Sequence, residues 1–261
     1  MSKLSIQDFQ SKIINWHTHT TRCQHAKGED REYVEKAIEA GYDILGFSDH
    51  APLVYEDDFV PRMRMHMHEL EGYVDSVLSL KKEYERDIEI YCGLEMEFFP
   101  RFFDKAMVEI DKYPIDYMIL GQHYYDEDDG PSPKRICEDE AQLEVYVERV
   151  LGGLATDRFL YVAHPDLVNF AGENSIYRKH MGRMVDEFKR RGMPLEINMN
   201  GFRSGSHYPN PELIKIGVEK DVDFIIGVDA HAPKELLDFE TYENCKKLVL
   251  QMGGRVINSL K

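Results

Sequence analysis

Histidines and carboxylates recur in this chain at spacings that suit metal binding. The stretches are Asn15-Trp16-His17-Thr18-His19, Ser48-Asp49-His50, Gly93-Leu94-Glu95, Gln122-His123, His164-Pro165-Asp166 and Asp229-Ala230-His231. Each closes a short apolar run. Alternate side chains on a strand point to the same side. His17 and His19 can therefore face one point together, as can Asp229 and His231. Imidazole nitrogen and carboxylate oxygen suit zinc, iron or manganese. The donors outnumber what one ion needs. Two or three divalent ions are expected, and one carboxylate such as Glu95 can bridge two of them. His25, in the loop after the first stretch, could reach the same face. Glu97 points to the same side as Glu95 but could equally pair with an arginine. His66, His68 and His180 lie on or beside helices among charged neighbours and read as solvated surface residues.

Residues so scattered along the chain meet only if strands carry them to a common end. The apolar runs predict strands over 13–16, 44–47, 88–94, 117–120, 159–163, 194–197 and 224–228. Helical spacing of apolar residues predicts helices over 31–40, 67–85, 102–112, 140–154, 176–190, 211–220 and 242–252. Gly41, Gly192 and Gly253 stand where C-terminal caps belong. Strands alternating with helices imply a parallel sheet with helical crossovers. A closed or nearly closed barrel is the natural arrangement, with a doubly wound open sheet as the alternative. Six of the seven strands then deliver a metal-type ligand to one end. One such strand end would mean little, but six together are hard to obtain by chance. Only the sixth departs, ending in Glu196 and Asn198. Two long insertions, 51–65 and 124–139, follow strands rather than helices. A barrel places both on the C-terminal face, where active sites sit.

Composition narrows the function classes. The 261 residues suit a single domain spanning 1–261, with no internal repeat or linker. Against 32 Lys plus Arg stand 48 Asp plus Glu, a formal charge of −16. That balance argues against nucleic acid or an anionic membrane as a partner. It leaves an anionic small molecule possible, because bound cations invert the local sign. The cysteines, Cys23, Cys92, Cys137 and Cys245, form no C-x-x-C pair and read as free thiols of a reducing cytosol. The polar N-terminus lacks the apolar core of a signal peptide, and no apolar run is long enough to span a membrane. A cytoplasmic protein is expected. Neither a P-loop nor a G-x-S-x-G signature is present.

Taken jointly, the motifs resemble the PHP (polymerase and histidinol phosphatase) family. They occur in the family's order and cover the chain from Asn15 to about Pro233. The resemblance implies a distorted (β/α)7, TIM-like barrel with a trinuclear metal site at the C-terminal ends of the strands. His17, His19, Glu95 and Asp229 would hold the first metal. Glu95 would bridge to a second, also held by His123 and His164. His25, His50 and His231 would hold the third. Within the family, the chain's size, its SDHAPL stretch at 48–53 and its INMNGFR…YPNPEL stretch at 197–213 are similar to the stand-alone phosphatases of histidinol phosphate. That similarity implies hydrolysis of histidinol phosphate to histidinol and phosphate, a step of histidine biosynthesis.

Hydrolysis of a phosphomonoester needs a nucleophile, charge neutralisation and help for the leaving oxygen. A hydroxide bridging two metals can be the nucleophile, so no serine, cysteine or aspartyl nucleophile is required. The side chains expected at the reacting phosphoryl are Glu95, Arg203 and His207. Arg203, just after the strand without a metal ligand, is the first choice for a phosphate clamp, with Arg64 and His207 as further binding residues. Metal-bound water, His207 and Asp166 are all open as the leaving-group acid. Glu56, Asp57 and Asp58 could favour the substrate's amine. Another PHP-type phosphoesterase, acting on a different phosphomonoester or a nucleotide, is the alternative. A non-catalytic metal module is disfavoured by the intact Glu95. An amidohydrolase-like enzyme is disfavoured because no strand end supplies a bridging lysine.

Overall fold

A computed structural model describes residues 13–56, 59–128 and 130–258. The elements are β1 (Ile14–Asn15), α1 (Asp30–Glu39), β2 (Ile44–His50), α2 (Leu70–Glu83), β3 (Glu89–Met96), α3 (Phe103–Ile110), β4 (Tyr117–Leu120) and α4 (Glu140–Leu154). They continue with α5 (Asn174–Arg191), β5 (Leu195–Asn198), α6 (Met199–Arg203), α7 (Pro211–Glu219), β6 (Phe224–Gly227) and α8 (Phe239–Gln251). Single 3-10 turns lie at Thr21–Cys23 and Met67–Glu69, and a longer one at Pro233–Leu237.

Every strand pairing is parallel, in the orders β1-β2-β3-β4 and β5-β6. Single bridges join the two sheets. Val162 bridges Leu120 on one side and Leu195 on the other, and Thr18 bridges Ala230. The sheet therefore curls into a barrel of seven staves, two of its joins resting on very few bonds. The fifth stave differs from the strand expected over 159–163. Its backbone does bond to β4, with Leu160 N donating to Met118 O at 2.8 Å and Ala163 N to Leu120 O at 2.9 Å. Toward β5 its backbone forms a single bridge, at Val162, because the chain turns into the left-handed region at His164 (φ 30°).

Burial on both faces explains the continuous apolar runs. All seven residues of β2 are buried, as expected for a parallel sheet covered by helices. A separate inner cluster holds Ile14, Trp16, Ile44, Tyr117, Ile119, Tyr161, Ala163 and Ile225, and it forms the barrel's floor. Tyr117 anchors it, donating its hydroxyl to Trp16 O at 2.7 Å and to Phe47 O at 3.0 Å. Gly46 and Gly93 leave room for that ring; a Cβ at either would collide with it.

Local chemistry sets the helix ends. Asp139 caps α4 through Ala141 N, and Asn210 caps α7, with Pro211 in its first turn. α8 starts at Phe239, earlier than the periodicity predicts, because Asp238 accepts from Thr241 N. α6 was not expected; five residues are too short to show a period, and only the cap Asn198, accepting from Gly201 N at 2.9 Å, marks it. Among the described residues, no helix is long and apolar enough to cross a membrane.

Candidate metal centre

The C-terminal ends of the staves converge on Glu95, at the end of β3 and 1% exposed. His17 and His19 follow β1, and His50 ends β2. His123 follows β4, His164 follows the fifth stave, and Asp229 follows β6. Around Glu95 Oε1 lie His164 Nε2 at 2.9 Å, His17 Nε2 at 3.7 Å and His123 Nε2 at 3.8 Å. Around Oε2 lie His50 Nδ1 at 3.1 Å and His19 Nε2 at 3.5 Å. Asp229 Oδ1 gathers a second group: His19 Nε2 at 3.2 Å, His231 Nδ1 at 3.4 Å and His17 Nε2 at 3.5 Å. His25 reaches the cluster because Gln24, at φ 70°, turns the chain back after the 3-10 turn. Its Nδ1 faces Cys23 O at 2.7 Å, and its Nε2 lies 3.0 Å from His231 Nε2. All nine residues expected as metal ligands therefore share one neighbourhood.

Other polar groups hold these rings in place. Glu196 Oε1 lies 2.8 Å from His17 Nδ1, and Glu196 Oε2 accepts the His164 backbone N–H at 2.6 Å. A carboxylate on one ring nitrogen fixes the tautomer and frees the other nitrogen for a metal. Asp49 accepts the Thr20 hydroxyl and lies 3.5 Å from His19 Nδ1. Asn198 Nδ2 donates to Glu196 Oε2 and to Asp229 Oδ2, each at 3.1 Å. Glu196 and Asn198 thus end the one stave that carries no ligand of its own, and they orient ligands on its neighbours. His164 and Asp229 sit in left-handed backbone (φ 30° and 50°), a conformation costly for residues other than glycine and concentrated at functional sites. Gly121 and Gly227 make way for the carboxylates; a Cβ at either would strike Glu95 Oε1 or Glu196 Oε1 respectively.

The charges sort themselves. Burial opposes ionising Glu95, but His123, His50 and His17 outweigh it and hold the carboxyl well below its usual range. Asp229 behaves likewise, through His17 and His19. Burial and the neighbouring His19 keep His231 neutral, at about 3. Two ionised carboxylates thus stand among the imidazoles, and against the cost of burial the surrounding carboxylates raise His17 and lift His19 to about 9. Among the atoms facing one another there, His17 Nε2, both nitrogens of His19, both oxygens of Glu95 and Asp229 Oδ1 are buried without a hydrogen-bond partner. Orphaned buried groups in such number call for an ion. Triads such as His17–His19–Glu95, His17–His164–Asp229 and His19–His50–His231 bring their donor atoms close enough to share one. Ligand atoms around a tetrahedral zinc sit about 3.4 Å apart, close to the spacings around Glu95 and Asp229. The residues fit divalent metals, and more than one.

A cavity of about 500 Å³ opens onto this cluster, within the range of small-molecule sites. Both insertions supply its rim: Arg62 and Met63 from the first, Tyr124, Ser132 and Lys134 from the second. Asn200 and Tyr208 complete the wall. The arginines expected here lie elsewhere. Arg203 ends α6 and turns away, 3.3 Å from Glu235 and 3.5 Å from Asp238. Arg64 is fully buried, held by Glu97, Asp128 and the Ala51 carbonyl. Glu97 is thus the arginine's partner. His207 stands beside the cavity, its Nε2 2.8 Å from Leu167 O. Asp166 is buried and accepts Asn210 N at 2.5 Å; burial raises its carboxyl to about 6, against hydrogen bonds that lower it. Glu56 pairs with Lys105 and Arg101, and Asp57 and Asp58 lie outside the described residues. His180 is not solvated; it is 1% exposed and meets Glu140 at 2.8 Å. Arg62 and Lys134 were missed, because residues inside irregular insertions carry no periodicity to show which way they face.

Fold and site together define a class: a curled parallel α/β barrel whose strand ends carry a buried histidine–carboxylate cluster resembling a metal site. Residues 15–200 match the PHP domain, and the chain belongs to that family. A protein of Deinococcus radiodurans named a probable histidinol-phosphatase is 30% identical, over 94% of this chain and 95% of its own length. The histidinol-phosphatase of Bacillus subtilis is 26% identical, over 82% of this chain and 92% of its own. The crystal structure of histidinol phosphate phosphatase from Lactococcus lactis, complexed with zinc, L-histidinol and phosphate, superposes with a TM-score of 0.74 at 19% identity. It covers 96% of this chain and 97% of that one. The chain is thus a PHP-family phosphatase.

Proposed function

We propose that this protein hydrolyses histidinol phosphate to histidinol and phosphate at a centre of two or three divalent ions, zinc, iron or manganese. The observation that carries the metal-dependent reading is the set of orphaned imidazole and carboxylate atoms around Glu95 and Asp229 at the foot of an open cavity. The substrate rests on the relatives named for it, at 30% and 26% identity over most of their length. In this reading His17, His19, Glu95 and Asp229 hold one ion. Glu95 would also serve a second with His123 and His164, and His25, His50 and His231 would hold a third. When bound, the ions would supply the nucleophile from water and neutralise charge developing on the phosphoryl oxygens. Glu196 and Asp49 keep His17 and His19 in the orientation the ions need. Arg62 and Lys134, on facing insertions, hold the phosphate end and offset the chain's negative field.

One observation favours a second reading, a phosphomonoester without an amine. Among the described residues, Glu95 and Asp229 are the only carboxylates lining the cavity, and both face the metals. A cationic headgroup finds no further acid there. Phosphate release from histidinol phosphate and from a panel of other monoesters, with and without chelator, separates the readings. Metal-dependent preference for histidinol phosphate supports the first. Preference for another ester keeps the metal centre and discards the substrate, and no release from any ester with metals bound discards the phosphatase reading.

A further inference from the structure

Arg64 is an unusual residue to find fully buried, and its partners form a chain that ends at the metal cluster. Its Nε and one terminal nitrogen bind the Asp128 carboxylate in a fork, each at 2.6 Å. Another terminal nitrogen donates to Ala51 O at 3.0 Å, and the guanidinium also pairs with Glu97. Tyr55 donates its hydroxyl to Asp128. Glu97 faces the other way as well. Its Oε1 accepts the His123 backbone N–H at 2.6 Å and lies 3.3 Å from His123 Nδ1. Arg64 and Tyr55 belong to the first insertion, Asp128 to the second, and Glu97 follows β3 two residues after Glu95.

We infer that Arg64, Asp128 and Glu97 are positioning residues that couple the order of the two insertions to metal binding at His123. Glu97 is the acceptor nearest His123 Nδ1. A proton drawn to Nδ1 leaves the Nε2 lone pair facing Glu95, the form a metal needs. Glu97 holds that place only while Arg64 balances its charge, and Arg64 holds its own only while both insertions are folded. By linkage, whatever favours the His123 site must favour the folded insertions to the same degree. The insertions carry Arg62 and Lys134 to the cavity rim, so metal loading and completion of the pocket become one event.

The inference rests on the metal-centre reading, and the test keeps the two apart. Asp128→Asn removes the charge that forks Arg64 without touching His123, and Glu97→Gln removes the charge beside the ring at nearly constant volume. Tyr55→Phe is the milder third variant. Zinc is titrated into metal-stripped protein against a chromophoric chelator, and stoichiometry is measured after gel filtration. In parallel, limited proteolysis maps cleavage within 51–65 and 124–139. In the parent protein, zinc is expected to slow cleavage in both insertions. In Asp128→Asn and Glu97→Gln, one zinc equivalent should weaken by about 10- to 100-fold, the other equivalents should hold, and zinc should no longer protect the insertions. Variants with parental circular dichroism that bind every equivalent as the parent does would overturn the inference. So would parental insertions whose cleavage ignores zinc. A parent that binds no zinc would instead overturn the metal-centre reading.

Discussion

Glu95 constrains every residue that touches it. Both its oxygens lie among imidazoles, and Gly121 stands where any side chain would strike Oε1. Gly121→Ala is therefore expected to displace the carboxylate and cut metal affinity by about 10- to 100-fold. Chelator competition checks this, and parental affinity would show that the strand shifts to make room. The cations at the pocket rim make a separate prediction. Arg62→Met and Lys134→Met should each raise the inhibition constant for inorganic phosphate about 10-fold, the scale of one charge-assisted hydrogen bond, with metal content unchanged. A parental constant in both would remove them from phosphate binding. Much of the cluster was legible in sequence because strand ends have an address: an apolar run closes, and the next polar residue faces the active end. Glu196 as the partner of His17 was not legible, since the pair is 179 residues apart and meets only through barrel closure. Nor was the direction of Arg203, which depends on how the unforeseen α6 is capped.

At the scale of elements, ends matter more than middles. α5 stops at Gly192, in left-handed backbone at φ 68° with open space where a Cβ would be. Gly192→Ala should cost about 1–2 kcal/mol in denaturant unfolding without changing metal content, since strain rather than collision is added. The insertions carry a pH signature. Burial would raise the Asp128 carboxyl, but Arg64 outweighs it and holds it below its ordinary value. Its stabilisation is therefore complete above about pH 4 and lost as pH falls through the lowered folded-state value. Below about pH 4, the parent should lose stability more steeply than Asp128→Asn; matching acid profiles would show that the fork adds nothing. Helix positions were readable from periodicity, with 140–154 recovered to the residue. The fifth stave was read as a strand because its apolar run is genuine, yet a run cannot report that its far edge bends away at His164.

The whole barrel depends on its joins. The β1–β6 closure rests on His19 N to Ala230 O at 2.9 Å, Ala230 N to His17 O at 3.3 Å, and Val228 N to the Asn15 side chain at 3.1 Å. Asp229 and His231 stand on one side of that seam, His17 and His19 on the other, so an ion held between them ties the first stave to the last. Each ion present at 100 times its dissociation constant adds about 2.7 kcal/mol. Chelation should lower the melting temperature by at least about 5 °C, and an unchanged melting curve would mean that the seam holds without metal. The same seam bears on the protein's life before it is loaded. A newly made chain short of metal would have its first and last staves joined by those three hydrogen bonds around a pocket of buried charge. Its survival against cellular proteases would then be set by how soon ions reach it, making the abundance of this protein a gauge of metal supply.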